Sequence, residues 1–200
     1  MGLRYLDMEA FRTTPRASEP FEYLVVPGFV RADACARINA DYPKISERGS
    51  FPVAQLAFGP AFQEFLDELE SDEFRTAFEE KFAIDLTGRP TTITVLIYMN
   101  PSWEESGGRL RLLRSGDDLD DVITEVPPNE GTLLAFKRAD NSWHGHKPFS
   151  GPRRAIQFNW VTSEGNRRIA MLRHHLSAPF KRVLGALRPG HTGDRAAARH

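Results

Sequence analysis

The first 143 residues of this 200-residue chain contain no histidine, and all six histidines lie from His144 onward. Any metal centre must therefore draw its imidazoles from the C-terminal part. Cysteine is scarcer still, and with Cys35 alone no internal disulfide can form. There is no secretory signal pattern and no run of about 18 apolar residues, so the expectation is a soluble, cytoplasmic protein with no transmembrane segment. An excess of one charge is also missing. Lys plus Arg number 26 against 27 Asp plus Glu, which argues against a dedicated nucleic-acid partner. The charges are nevertheless segregated: Glu64 to Asp85 holds nine acids and two bases, whereas Glu164 to His200 holds eight Lys or Arg and two acids. Two solvated faces that attract each other are the simplest account, ahead of an acidic partner or a membrane surface.

What remains is ordinary globular material. A 40% hydrophobic content over 200 residues suffices for one core without disulfides. The chain is read as a single domain spanning 1–200, with an arm (1–20), a strand and helical support (21–90), a β core (91–162) and a C-terminal helix and tail (163–200). The arm mixes Thr, Pro, Arg and Ser without periodicity and is expected to attach loosely. "FEYLVVPGFV" has the apolar density of a strand, and "RADACARINADYP" reads as a helix ending by Pro43, followed by a turn-rich stretch to Pro60. Phe62, Phe65, Leu66 and Leu69 share one helical face, and Phe74, Ala77, Phe78 and Phe82 repeat it after Ser71, a natural N-cap.

After Pro90 the pattern turns to β. In "ITVLIYMN", Ile93, Val95, Ile97 and Met99 alternate with Thr94, Leu96, Tyr98 and Asn100. "GGRLRLL", "DVITEV", "GTLLAF" and "RRAIQFNWV" follow as four more strands, with Arg109 and Arg111 facing away from Leu110 and Leu112. Short strands at near-regular spacing indicate a sandwich or barrel. "NRRIAMLRHHLSAPFKRVLGALRPG" reads as a basic amphipathic helix broken near Pro179, with His174 and His175 facing solvent or capping.

The chemistry concentrates in "SWHGHKPFSGPRRAIQFNW". A histidine in a turn, followed nine residues on by an arginine entering a strand, can put an imidazole on a metal and a guanidinium deeper in the same pocket. Arginine's planar fork matches a carboxylate and stays charged, which suits a dicarboxylate.

The runs "ITVLIYMNPSWEESGGRLRLL" and "VPPNEGTLLAFKRADNSWHGHKPFSGPRRAIQFNWV" closely resemble the iron(II)/2-oxoglutarate-dependent oxygenases of the prolyl 4-hydroxylase-like branch, and "FEYLVVPGFVRADACARI" resembles the strand and helix that precede their catalytic core. The resemblance implies a mainly β fold with flanking helices, a double-stranded β-helix or jelly roll. It also implies an oxidoreductase, a dioxygenase that uses Fe(II) and 2-oxoglutarate, with ascorbate as an accessory, to hydroxylate a peptidyl or small-molecule substrate. Apart from the resemblance, a homodimer is among the partners expected. In that family's register His144 is the distal metal ligand and the catalytic-centre residue, followed by Pro148 and by Arg153, which binds 2-oxoglutarate. Tyr98 takes the place of a tyrosine on the cosubstrate's far carboxylate. His146, Asp140 and Trp143 are assigned to the surroundings of the metal or to substrate contact, although core packing is the favoured reading of Trp143 and Trp160.

One element of the family pattern is missing. Its iron is held by a His-x-Asp pair plus the distal histidine, and this chain has no His-x-Asp. Three explanations are ranked in order: an internal segment omitted between Arg89 and Thr94; a real deletion that leaves a catalytically inactive jelly-roll binding module; or completion of the triad by Asp140 or His146.

Overall fold

The computed structural model describes residues 2–47, 49–86, 93–160 and 169–176. The chain opens with helix α1 (Met8–Thr13), strand β1 (Tyr23–Val26) and helix α2 (Ala32–Ala40). Strand β2 (Gly49–Pro52) and helices α3 (Pro60–Glu70) and α4 (Asp72–Phe82) follow. The rest is β: β3 (Ile93–Tyr98), β4 (Leu110–Leu113), β5 (Val122–Val126), β6 (Leu133–Lys137), β7 (His144–Gly145), β8 (Pro152–Trp160) and β9 (Ile169–Leu176).

Local chemistry accounts for the helices. Pro60 starts α3, where its missing N–H costs nothing, and Phe62, Phe65, Leu66 and Leu69 form the buried face. Ser71 then serves both helices: its hydroxyl donates to the Glu68 carbonyl at 2.6 Å and accepts the Phe74 N–H at 3.2 Å. Helix α4 ends at Ala83, whose φ of 51° is left-handed.

The strands form a six-stranded sheet in the order β1-β6-β3-β8-β9-β2 and a three-stranded sheet in the order β5-β4-β7. Every pairing between these strands is antiparallel. The large sheet has two buried faces. On one, Ile93, Val95, Ile97 and Met99 pack with Ile156 and Phe158 against the helices, as the alternation of β3 predicts. On the other, Leu96, Tyr98, Leu134, Phe136 and Ala155 meet Leu110, Leu112 and Val126 of the small sheet. The layers are thus helices, large sheet and small sheet. In the helical layer Phe78 contacts Phe11 with a tilted ring and Phe74 edge-on, with centroids 4.6 and 4.8 Å apart, and each fully buried ring contributes about 1.5–3 kcal/mol.

Two expectations are corrected. The N-terminal arm is not loosely attached, because Tyr5, Leu6, Met8 and Phe11 are buried in the helical core. Glu68 also accepts the backbone N–H groups of Tyr5 and Leu6 at 2.9 and 3.2 Å. The segment is too short to announce a helix, yet the six-residue α1 buries Met8 and Phe11, while Tyr5 and Leu6 lie before it. The C-terminal helix is not what residues 169–176 form. They make strand β9, paired along β8 from Asn159↔Ile169 to Pro152↔Leu176 and on its other edge with β2. Ladder bonds on both edges outweigh the helical periodicity of that segment. His174 and His175 therefore lie on a strand, in register with Arg154 and Arg153. Residues 177–200 and the segment just before Ile93, where a chain break was expected, lie outside the described residues.

Candidate ligand site between the sheets

Strand β8 alternates across the large sheet. Ile156 and Phe158 join the helical core and Ala155 joins the core between the sheets. Arg154 points with the former: its guanidinium lies 5.2 Å from the Tyr42 ring centroid and donates to Asn39 Oδ1 at 3.3 Å. Arg153, Gln157 and Asn159 share the parity of Ala155 and so face the small sheet.

Arg153 is 3% exposed. Its Nη2 donates to the Tyr98 hydroxyl at 3.2 Å, and the guanidinium carbon lies 5.1 Å from the Tyr98 ring centroid. Its Nε is buried without a hydrogen-bond partner. Among the described residues no carboxylate pairs with it. A buried guanidinium of this kind is costly unless an anion completes it. Two sequence-predicted residues, 55 positions apart, are thus brought into contact.

Further along the same face is a cavity of about 510 Å³. Thr94, Gln157 and Asn159 line it from the large sheet, and Phe136, Trp143 and His144 add aromatic walls. Arg138 and Asp140, both exposed, stand at its edge. His144 is exposed in the short strand β7, with its ring 4.8 Å from that of Phe136 and its Nδ1 2.9 Å from the Ser142 carbonyl oxygen. Trp143 is half-buried and packs on Gly116, where a Cβ would come within 2.9 Å of the indole; it belongs to the cavity wall rather than to either core. His146 is elsewhere. Its ring sits edge-on to Phe149 at 5.3 Å, in a cluster that includes Trp103.

Sequence reasoning placed His144, Asp140 and Trp143 near one another, and the structure brings all three to the cavity. It missed Thr94, Phe136, Arg138, Gln157 and Asn159. For Gln157 and Asn159 a signal existed: they are polar residues on Arg153's face of a strand otherwise built to be buried.

Residues 70–162 match the model of the 2OG-Fe(II) oxygenase superfamily. The match covers 93 of the chain's 200 residues, and over that stretch the chain is similar to the superfamily. Among solved structures, the chain is similar to the crystal structure of a Pseudomonas putida prolyl-4-hydroxylase, at 17% identity over 86% of this chain and 92% of that one, with a TM-score of 0.37. No curated protein matches the chain.

The superfamily implies Fe(II) and 2-oxoglutarate, and the two fit this chain differently. Iron of this kind needs two histidines and a carboxylate on one face. Among the described residues no three of His, Cys, Asp and Glu come together to hold a metal ion, and neither Asp140 nor His146 completes a set with His144. The described residues therefore do not by themselves fit iron. A carboxylate of 2-oxoglutarate does fit: the orphaned Nε of Arg153 and the Tyr98 hydroxyl offer donors in a water-poor setting.

Proposed function

We propose that this chain binds 2-oxoglutarate between its two sheets, as a dioxygenase-type domain of the prolyl 4-hydroxylase-like branch with a double-stranded β-helix core. The observation that supports this is the buried, carboxylate-free guanidinium of Arg153 with its orphaned Nε. A carboxylate there accepts from Nε and one Nη, and the Tyr98 hydroxyl holds it in the plane of the fork. Leu96, Leu134 and Ala155 keep the neighbouring face apolar, which strengthens each charge-assisted bond. In the dioxygenase reading the substrate is a peptide or small molecule and His144 is one ligand of the iron. Two further ligands must come from residues other than those described.

A second reading is a dicarboxylate-binding module without iron chemistry. The family match does not favour it, and it stands as the outcome in which 2-oxoglutarate binds without turnover.

Calorimetric titration with 2-oxoglutarate, together with succinate release in Fe(II) and ascorbate, tests both. Binding is expected in the parent chain and in Arg154→Ala, and lost in Arg153→Ala. Succinate release that disappears in His144→Ala establishes the dioxygenase; binding without succinate establishes the module. Absence of 2-oxoglutarate binding overturns both.

A further inference from the structure

The inner face of the large sheet carries polar residues at two ends, with Leu96 and Leu134 between them and Gln157 beside Leu96. Tyr98 pairs with Ala155 beside Arg153, whereas Thr94 pairs with Asn159 and with Phe136 at the other end. Four residues of strand separate the two rows, about 13 Å. A five-carbon dicarboxylate held at Arg153 spans less than about 7 Å, so it ends well short of the Thr94 and Asn159 row. The cavity, which neither Arg153 nor Tyr98 lines, is left for another molecule.

Its lining sets that molecule's chemistry. Asn159 Oδ1 is buried with no hydrogen-bond partner, so the inner end lacks a donor. Gln157 and Thr94 beside it are neutral. Phe136 and Trp143 are apolar walls that suit a methylene chain. At the edge stand one cation and one anion, Arg138 and Asp140, and neither forms an ion pair among the described residues. Although only two positions apart, both residues line the cavity.

We infer that this end of the cavity binds a free α-amino acid as its zwitterion. The carboxylate meets Arg138, the ammonium meets Asp140, and a side chain with an N–H or O–H donor reaches Asn159 Oδ1. A neutral sugar would leave both edge charges unused, and a blocked peptide segment would present neither terminal charge to them. The inference rests on the 2-oxoglutarate reading only in naming the cavity's occupant as the second substrate; binding itself is independent of Arg153.

The test is ligand-observed NMR and calorimetry on the 200-residue chain with L-glutamine, L-asparagine, L-leucine and N-acetyl-L-asparagine amide. L-Asparagine or L-glutamine should bind. L-Leucine, which has the branched shape of asparagine without its donor, should bind about tenfold more weakly, and the blocked amide likewise. Asp140→Asn and Arg138→Gln lie on the surface and leave the fold intact; each should weaken the free amino acid about tenfold and leave the blocked amide unchanged. Asn159→Leu should abolish the preference for asparagine over leucine. No binding of any free amino acid at about 20 mM, where even a millimolar Kd is saturated, overturns the inference. So does equal binding of the free and blocked forms. A chain that binds asparagine but not 2-oxoglutarate would refute the proposed function and leave this inference standing.

Discussion

Replacing Arg153 by methionine separates two contributions that coincide in the parent chain. Without ligand, the buried guanidinium has lost its hydration and gained the Tyr98 hydroxyl and the face of its ring, but no carboxylate. Exchanging a buried charged group for an apolar one of similar volume is often neutral or stabilising by about 1–4 kcal/mol. The ligand-free variant should therefore melt at or above the parent temperature. With 2-oxoglutarate at about 100 times its Kd, the parent gains about 2.7 kcal/mol. For a chain of this size that is a rise of about 5–10 °C. Arg153→Met should show none of it. Thermal unfolding of both proteins with and without 2-oxoglutarate reads both quantities, and Tyr98→Phe should retain most of the ligand shift, since it removes one neutral donor. An equal shift in parent and variant would refute the anchor. A fall of many degrees in the ligand-free variant would show that Arg153 holds the fold rather than a ligand.

Burial, followed by the charges of Glu130 and Asp33, pushes the Cys35 thiol up to about 11. Because the folded state holds this proton more tightly than the unfolded one, the stabilisation is complete below the ordinary thiol range of about 8.5–9 and is lost as pH rises through about 11. Denaturation midpoints should fall over that window, less steeply in Cys35→Ala, and an identical slope in the two proteins would refute the assignment. Ser71→Ala removes a donor from the end of α3 and an acceptor from the start of α4, and should cost about 1–2 kcal/mol in urea unfolding. At Gly107 an added Cβ would meet the Pro148 carbonyl oxygen at 1.8 Å. Gly107→Ala should therefore destabilise by more than about 2 kcal/mol, whereas Gly2→Ala, in open space, should have no effect on the midpoint.

Helices α2, α3 and α4 and most strands were legible because their periodicities are undisturbed, whereas α1 was not. Ser71 was recognisable as a cap, and β3 displays its two faces in strict alternation. Arg153 and Tyr98 were legible through the family register, and their contact follows from the pairing of β3 with β8. The parts misread share one physical cause: nonlocal partners decide them. Residues 169–176 have a helical pattern, but β8 and β2 supply ladder bonds on both edges. The segment Gly49–Pro52 contains Gly, Ser and Pro and looks like a turn, yet it closes the sheet against β9. Tyr5 and Phe11 carry no periodicity of their own, and they are buried by helices that lie far away in sequence. The cavity had the same fate. Thr94, Phe136 and Asn159 come from three different strands and become neighbours only through their registers.

Strand β3 lies at the middle of the large sheet with no face in solvent. A slip of a single residue would turn Ile93, Val95 and Ile97 toward the small sheet and push Thr94 and Tyr98 into the phenylalanine-lined helical layer. It would also take the phenol away from Arg153 and the threonine away from Asn159. Apolar segregation thus fixes, in one choice, how far the cation stands from the cavity. Changes in the length of the chain before Ile93 must be absorbed outside the strand, because within it packing and ligand spacing cannot be altered separately.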